Sequence, residues 1–388
     1  MFKDNWWRTV IFLALILLVN VQVRALNTEE IDYVYEKAFV DNDVLDSGDF
    51  DVIDDFLNTA LDEMFLTEDF SEIVKTRSEI ASRRGQKQPS QYSASFISSA
   101  ARHLKSAFDE VNSSEDGHRK IHLQRNLIIL VAELGSIELA DFGIQMLNGQ
   151  NSSIRYWAVK SITGPGIAHR LNSNSIGDEE LKTRIISKLT AAAEKENHAE
   201  ILELIAKFAD LLNGSEADEL LLKIGLLRIK AYEDWTVEYE LMDAGLLNAL
   251  AERILVQAGG ERIATAREFA QLYSYAMQRY INGADSLSEV SGTQLASVLV
   301  DVEQSALGKL LGRPQTAIKK AVERKNYSSL QAEHDSLLGS PARAGELARA
   351  ITFDYGKDAG SVAITAPKKL PAKPQPQEPE PEKTEKTD

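Results

Sequence analysis

The chain predicts an all-α protein of stacked helical hairpins, an α-solenoid, and three observations carry that expectation. From Asn27 onward apolar residues recur three or four apart, and strand-like alternation is almost absent. Glycine, proline and asparagine cut this pattern into helix-length pieces. Between Ile121 and Gly164 the pieces read as one and a half similar hairpins in tandem. A single hairpin cannot bury its own apolar face, so such units must stack on their neighbours.

The elements follow in order. Ile31, Val34, Tyr35, Ala38 and Phe39 make the first apolar stripe, and Ile53, Phe56, Leu57, Ala60 and Met64 the second. Phe70 to Arg84 completes an acidic helical region over residues 27–84. Pro89 and its neighbours break the pattern. Ser90 to Val111 opens the repeat-like region, residues 90–177. Longer hairpins or a separate bundle follow over 178–356, with helices expected near His198–Leu212, Glu216–Tyr232, Tyr239–Gln257, Glu261–Ile281, Glu289–Leu311 and Pro314–Arg324. Residues 367–388 hold six of the ten prolines and one large apolar residue, Leu370, so a disordered, partly polyproline tail is expected.

Residues 1–25 have the layout of a signal peptide. Lys3 and Arg8 precede the unbroken apolar run Val10 to Val19, and Val23-Arg24-Ala25 offers a cleavage site. The run is too short for a bilayer span, which needs about 20 residues, although an uncleaved N-terminal anchor is the alternative. The chain has no cysteine, which excludes disulfides, thiolate nucleophiles and zinc ribbons. Export without cysteine points to a bacterial periplasm or the cell exterior, so the expected location is periplasmic or secreted. The net charge is −16, and Asn27 to Val74 contributes sixteen acidic residues against one basic residue, Lys37. Such a field repels phosphate backbones and argues against a nucleic-acid partner.

Within residues 121–164, Leu123, Leu127, Leu130, Val131 and Leu134 share one helix face, and Gly135 supplies the stop. Ile137–Leu147 forms a short helix, Asn148-Gly149 turns the chain, and Ser152 or Ser153 caps the next helix. Gly164-Pro165-Gly166 stops that helix. The run Ile154-Arg155-Tyr156-Trp157-Ala158-Val159-Lys160-Ser161-Ile162, with Gly164 behind it, resembles the second helix of a HEAT repeat, an armadillo-type fold. That helix has the form V-R-x-x-A-V-x-A-L. The resemblance implies that Arg155 bonds backbone near the turn, in a structural role. It also implies an extended binding surface, and it is confined to residues 121–164.

Three groups are candidate sites. Tyr232, Trp235 and Tyr239 cluster at an expected inter-helix turn, where aromatics make good contact anchors, or where Trp235 closes the end of a core. The string from Asp43 to Asp54 matches a calcium loop in part, with Asp43, Ser47, Asp51 and Asp54 at ligand positions and Gly48 at the sharp turn. Leu45 removes one ligand, and the competing reading is a set of aspartates capping the following helix. His118 and His122 share a helix face without a third zinc ligand, and read as surface histidines. No nucleophile elbow, phosphate loop or dinucleotide fingerprint is present. The expected function is an exported, non-catalytic helical-repeat scaffold for a protein or envelope-polymer partner, with no cofactor unless calcium and no membrane span after cleavage. The alternatives are a helical-toroid enzyme acting on an envelope polymer, and a calcium-dependent adhesion or assembly module.

Overall fold

The structure, a computed structural model, describes residues 26–39, 44–85, 90–115, 117–173, 177–284 and 286–374. The expected signal peptide, residues 1–25, lies outside them, as do Asp43 and residues 375–388. The described residues are overwhelmingly helical, with one two-stranded ribbon, Gly339–Ser340 against Arg343–Ala344. Among them no helix is long and apolar enough to cross a membrane. The chain divides after Leu134 into two compact units.

The first unit holds α1 (Glu29–Phe39), α2 (Ser47–Leu66), α3 (Phe70–Ser82), α4 (Gln91–Ser113) and α5 (His118–Leu134). Helix α2 packs on α3 and α4, and α5 packs on both of those helices. The break expected near residues 84–90 therefore falls inside one unit, because the stripes of α2 and α4 bury against each other: Phe56 and Phe96 face at 6.5 Å. Asp46 starts α2. Its carboxylate accepts from the N–H groups of Gly48 and Asp49, and Asp49 returns a bond to the Asp46 N–H at 2.8 Å, a reciprocal cap. Lys37, the one basic residue of the acidic stretch, pairs with Asp49 at 2.6 Å and Asp46 at 3.3 Å.

The second unit begins with a single helical turn and α6 (Ala140–Met146), then α7 (Ser152–Ile162), α8 (Pro165–Leu171) and α9 (Asp178–Ala193). It continues through α10 (Ala199–Leu211), α11 (Ser215–Glu233), α12 (Met242–Val256), α13 (Gly259–Asn282) and α14 (Glu289–Val302). The last helices are α15 (Gly308–Leu311), α16 (Ala317–Glu323), α17 (Tyr327–Leu337) and α18 (Glu346–Ile351). Alternate helices touch: α9 packs on α11, α11 on α13, α10 on α12, and α12 on α14.

Several local expectations change. Asn151, not Ser152 or Ser153, caps α7, accepting from Ser153 and Ile154 N–H groups. Gly164-Pro165 ends α7 but also begins α8, since proline suits a first helical position, where its missing N–H is no loss. Pro314 stands ahead of α16, which starts at Ala317. A wide turn at Glu303–Leu307 presents the buried Glu303 carboxylate to the N–H groups of Ile318 and Lys319, so the cap of α16 comes from another element.

Arg155 reaches back to the turn before α7 and donates to the carbonyls of Gly149 and Gln150, both at 3.0 Å. Its other edge grips Glu196 with two bonds of 2.8 and 3.0 Å. Burial raises the Glu196 pKa, but Arg155 and the His198 N–H outweigh it and hold that pKa at about 2. Trp157 is half-buried, with Lys160 over its ring. The close approach within this hairpin falls at Gly143. A Cβ there would stand 2.5 Å from Ile162 Cγ2 and 3.0 Å from the Ala158 carbonyl. Gly143→Ala is expected to lower the stability of this unit by about 1–3 kcal/mol despite alanine's better helix propensity. Urea unfolding of the two proteins measures the difference.

Candidate functional site

The turn between α11 and α12 is built on a buried ion pair. Arg228 lies one helical turn before Tyr232, near the end of α11, and Asp243 stands in the first turn of α12; their side chains are 3% and 0% exposed. The guanidinium meets the carboxylate edge to edge, Nε–Oδ1 2.7 Å and Nη2–Oδ2 3.1 Å. Its remaining arm holds the Glu238 carbonyl at 3.1 Å. Tyr232 donates its hydroxyl to Asp243 Oδ2 at 2.8 Å. Burial, then the Asp243 charge, raises the Tyr232 pKa far beyond the phenolic range. Such a pair resists separation, because either member alone would be a buried, uncompensated charge.

Trp235 and Tyr239 both take left-handed backbone angles, φ 58° and 49°, which is unusual for aromatic residues and marks a turn held by the ion pair between its flanking helices. The three aromatics therefore have different roles. Tyr232 is part of the buried network, while Trp235 and Tyr239 are half-buried at the surface. Arg279, mostly buried on α13, sits under the Trp235 ring at 5.4 Å and the Tyr232 ring at 5.9 Å, and bonds Glu240 at 3.2 Å. This stacking fixes the indole plane.

Beside Trp235 lies a feature the sequence did not announce. Residues 353–364 fold back on themselves, with Tyr355 N–H on the Ile364 carbonyl and Ile364 N–H on the Gly356 carbonyl. Thr365 then bonds the Ser340 carbonyl, crossing Gly339 (φ 114°), where a Cβ would meet the Thr365 carbonyl at 2.1 Å. From there Lys368 to Pro371 runs extended along α13. Gln271 accepts the Lys368 N–H at 2.8 Å and donates to its carbonyl at 3.3 Å. Gln278 donates to the same carbonyl at 3.1 Å and accepts the Leu370 N–H at 2.8 Å. The Trp235 indole N–H donates to the Pro371 carbonyl at 2.9 Å. The first residues of the expected disordered tail, up to Pro371, are thus held by two side-chain amides and the Trp235 indole.

Gln278 is itself oriented. Its amide donates to Ser274 Oγ at 2.8 Å, Ser274 contacts His334 Nε2 at 2.8 Å, and His334 Nδ1 contacts Asp335 at 2.9 Å. The neutral tautomer with its proton on Nδ1 satisfies every member of this chain. Its connectivity is that of a serine–histidine–carboxylate relay, yet Ser274 is fully buried inside α13, where helix bonds use the nearby N–H groups that an oxyanion would need. The relay's geometry suits orientation of Gln278.

In the first unit, Ser47 opens α2, and Asp51 and Asp54 lie along that helix, so no twelve-residue chelating loop forms from Ser47 onward. The reason is the Asp46–Asp49 cap, which turns the string into a helix start. Asp54 bonds Ser99, Arg102 (3.1 Å) and His103 (2.7 Å) on α4. Burial raises its pKa, and Ser99 and His103 lower it further than that, for a net decrease. Among the described residues no three His, Asp or Glu side chains gather as a metal site would require. His118 is exposed, while His122 stacks on Phe70 at 4.1 Å. In the second unit an open groove of about 800 Å³ is lined by Tyr280, Thr293, Ser297, Asp301 and Tyr327; Asn248 already holds Asp301, at 2.8 Å.

Glu268 on α13 was also missed. It is 8% exposed, and its Oε1 fills the space over Gly225 of α11 without a hydrogen-bond partner. The glycine inside Leu221–Lys230 was the available signal of a close approach. Against protein-family models and curated protein sequences the chain finds no match.

Burial pushes the Glu268 pKa up from 4.5 to about 9. Between those values the unfolded chain has released a proton that the folded chain keeps, so stability falls as pH rises across the window. Glu268→Gln is expected to stabilise the second unit by on the order of 4 kcal/mol at pH 7.5 and to change nothing below pH 4. Thermal melts at the two pH values check the sign.

Proposed function

We propose that the protein is an exported, non-catalytic helical scaffold that binds another protein through the Trp235 turn and the adjoining face of α13. The observation carrying this reading is Trp235 itself: half-buried, pinned by the Arg228–Asp243 pair, and already gripping a backbone carbonyl. Rigid aromatics on a preorganised turn bind with little ordering cost. The stacked-hairpin, HEAT-like arrangement belongs to the same reading. It draws support from the packing of alternate helices and from Arg155, whose bonds to the Gly149 and Gln150 carbonyls match the role the resemblance implies. Export to the periplasm or beyond rests on the residue 1–25 pattern and the absence of cysteine. An acidic surface favours a basic protein partner over nucleic acid.

Affinity capture of the mature chain from its native envelope is expected to recover one stoichiometric protein partner. Trp235→Ala is expected to weaken that capture at least tenfold while leaving helicity unchanged. Turnover of an envelope polymer by the purified chain alone would instead favour the enzyme alternative.

A further inference from the structure

The bonds that hold Lys368–Pro371 all go to its backbone. Gln271 reads both polar groups of Lys368, Gln278 reads the Lys368 carbonyl and Leu370 N–H, and Trp235 reads the Pro371 carbonyl. The side chains of Lys368, Lys369 and Pro371 point to solvent and Leu370 is half-buried. A cradle of this kind recognises conformation before sequence. It asks for an extended strand with free N–H groups at two alternate positions and a carbonyl three residues beyond the first. Proline fits at that last position, where no N–H is used, and is excluded at the first and third. Around the Trp235 end stand Glu233, Asp234 and Glu238, of which Asp234 and Glu238 are exposed, while the held segment carries Lys368, Lys369 and, just beyond, Lys373. The exposed Asp234 and Glu238 give that end of the cradle acidic neighbours for a basic segment.

We propose that this cradle is a binding site for an extended, lysine-rich segment of a partner protein, and that Lys368–Pro371 is its intramolecular placeholder. The proposal rests on the scaffold reading above and gives it a ligand chemistry and a form of self-regulation. Only three residues separate Lys368 from the Ile364 anchor, so the placeholder competes at an effective concentration of about millimolar. With a placeholder whose own intrinsic affinity is ~10 μM, any partner segment would then bind the intact chain roughly 100-fold more weakly than the vacated cradle. Gln278 is prepared for this exchange, because the Ser274–His334–Asp335 network orients its amide through groups outside the segment.

The test empties the cradle without touching it. In the full chain, Lys368→Pro with Leu370→Pro removes both N–H donors while keeping an extended backbone. A fluorescein-labelled peptide of sequence APKKLPAK is titrated by anisotropy against this variant and the wild type. The expected result is at least tenfold tighter binding to the variant, lost again when Gln278→Ala is added. Equal binding to both chains, or no binding to a variant with wild-type helicity and melting temperature, overturns the proposal. Should the double variant fail to fold, trypsin cleavage after Lys369 is compared in wild-type and Gln278→Ala chains. A rate at least tenfold faster in Gln278→Ala supports an exchangeable segment, and an unchanged rate overturns it. A concentration-dependent dimer of the wild-type chain by sedimentation, abolished in the double proline variant, would assign the cradle to the tail of a second copy and overturn the partner. If the peptide fails while Trp235-dependent capture persists, this inference falls and the scaffold reading stands.

Discussion

A guanidinium and a carboxylate that have left water together must stay together. Arg228 and Asp243 are in that position, and the geometry of the candidate site follows from them. Their two parallel hydrogen bonds tie the end of α11 to the start of α12, and the spare arm of Arg228 on the Glu238 carbonyl fixes the path between. The left-handed angles at Trp235 and Tyr239 are affordable only in a turn constrained from within. Separation of such a pair costs several kcal/mol, a large share of what holds a domain folded. The indole of Trp235 is thus placed before any ligand arrives.

The second constraint is close approach. Gly143 lets α6 lie against α7, Gly225 makes room for the Glu268 carboxyl, and Gly339 lets the Thr365 carbonyl pass. Glu268 is the counterexample to economy: an unpaired carboxyl kept protonated by burial, whose removal is expected to stabilise the unit near neutral pH.

Helical periodicity made most of the fold legible, because a buried stripe repeats at the pitch of the helix whatever lies beside it. Ile53, Phe56 and Leu57 of α2, and Phe269, Leu272 and Tyr273 of α13, are buried as their spacing implies. Short helices such as α8 carry too few residues to show a period, and α17 offers only three buried positions, Leu330, His334 and Leu337. The aspartates near Gly48 read two ways because capping boxes and chelating loops draw on the same residues; the structure shows Asp46 and Asp49 forming a reciprocal cap. Tyr232, Trp235 and Tyr239 were visible as a cluster, but their division into one buried and two surface residues depends on Asp243, eleven residues beyond Tyr232. Gln271 and Gln278 were invisible as a site. Their partner lies about ninety residues away and contributes only backbone, which leaves no trace in composition.

Site-resolved hydrogen exchange of the intact chain reads the Trp235 turn and the held segment together. Slow exchange is expected at the Lys368 and Leu370 amides and the Trp235 indole, with fast exchange at the intervening Lys369. Asp243→Asn is expected to abolish the indole's protection while the core of α13 stays protected. Uniformly fast exchange from Lys368 to Leu370 in the wild-type chain, or an indole indifferent to Asp243, would contradict this arrangement.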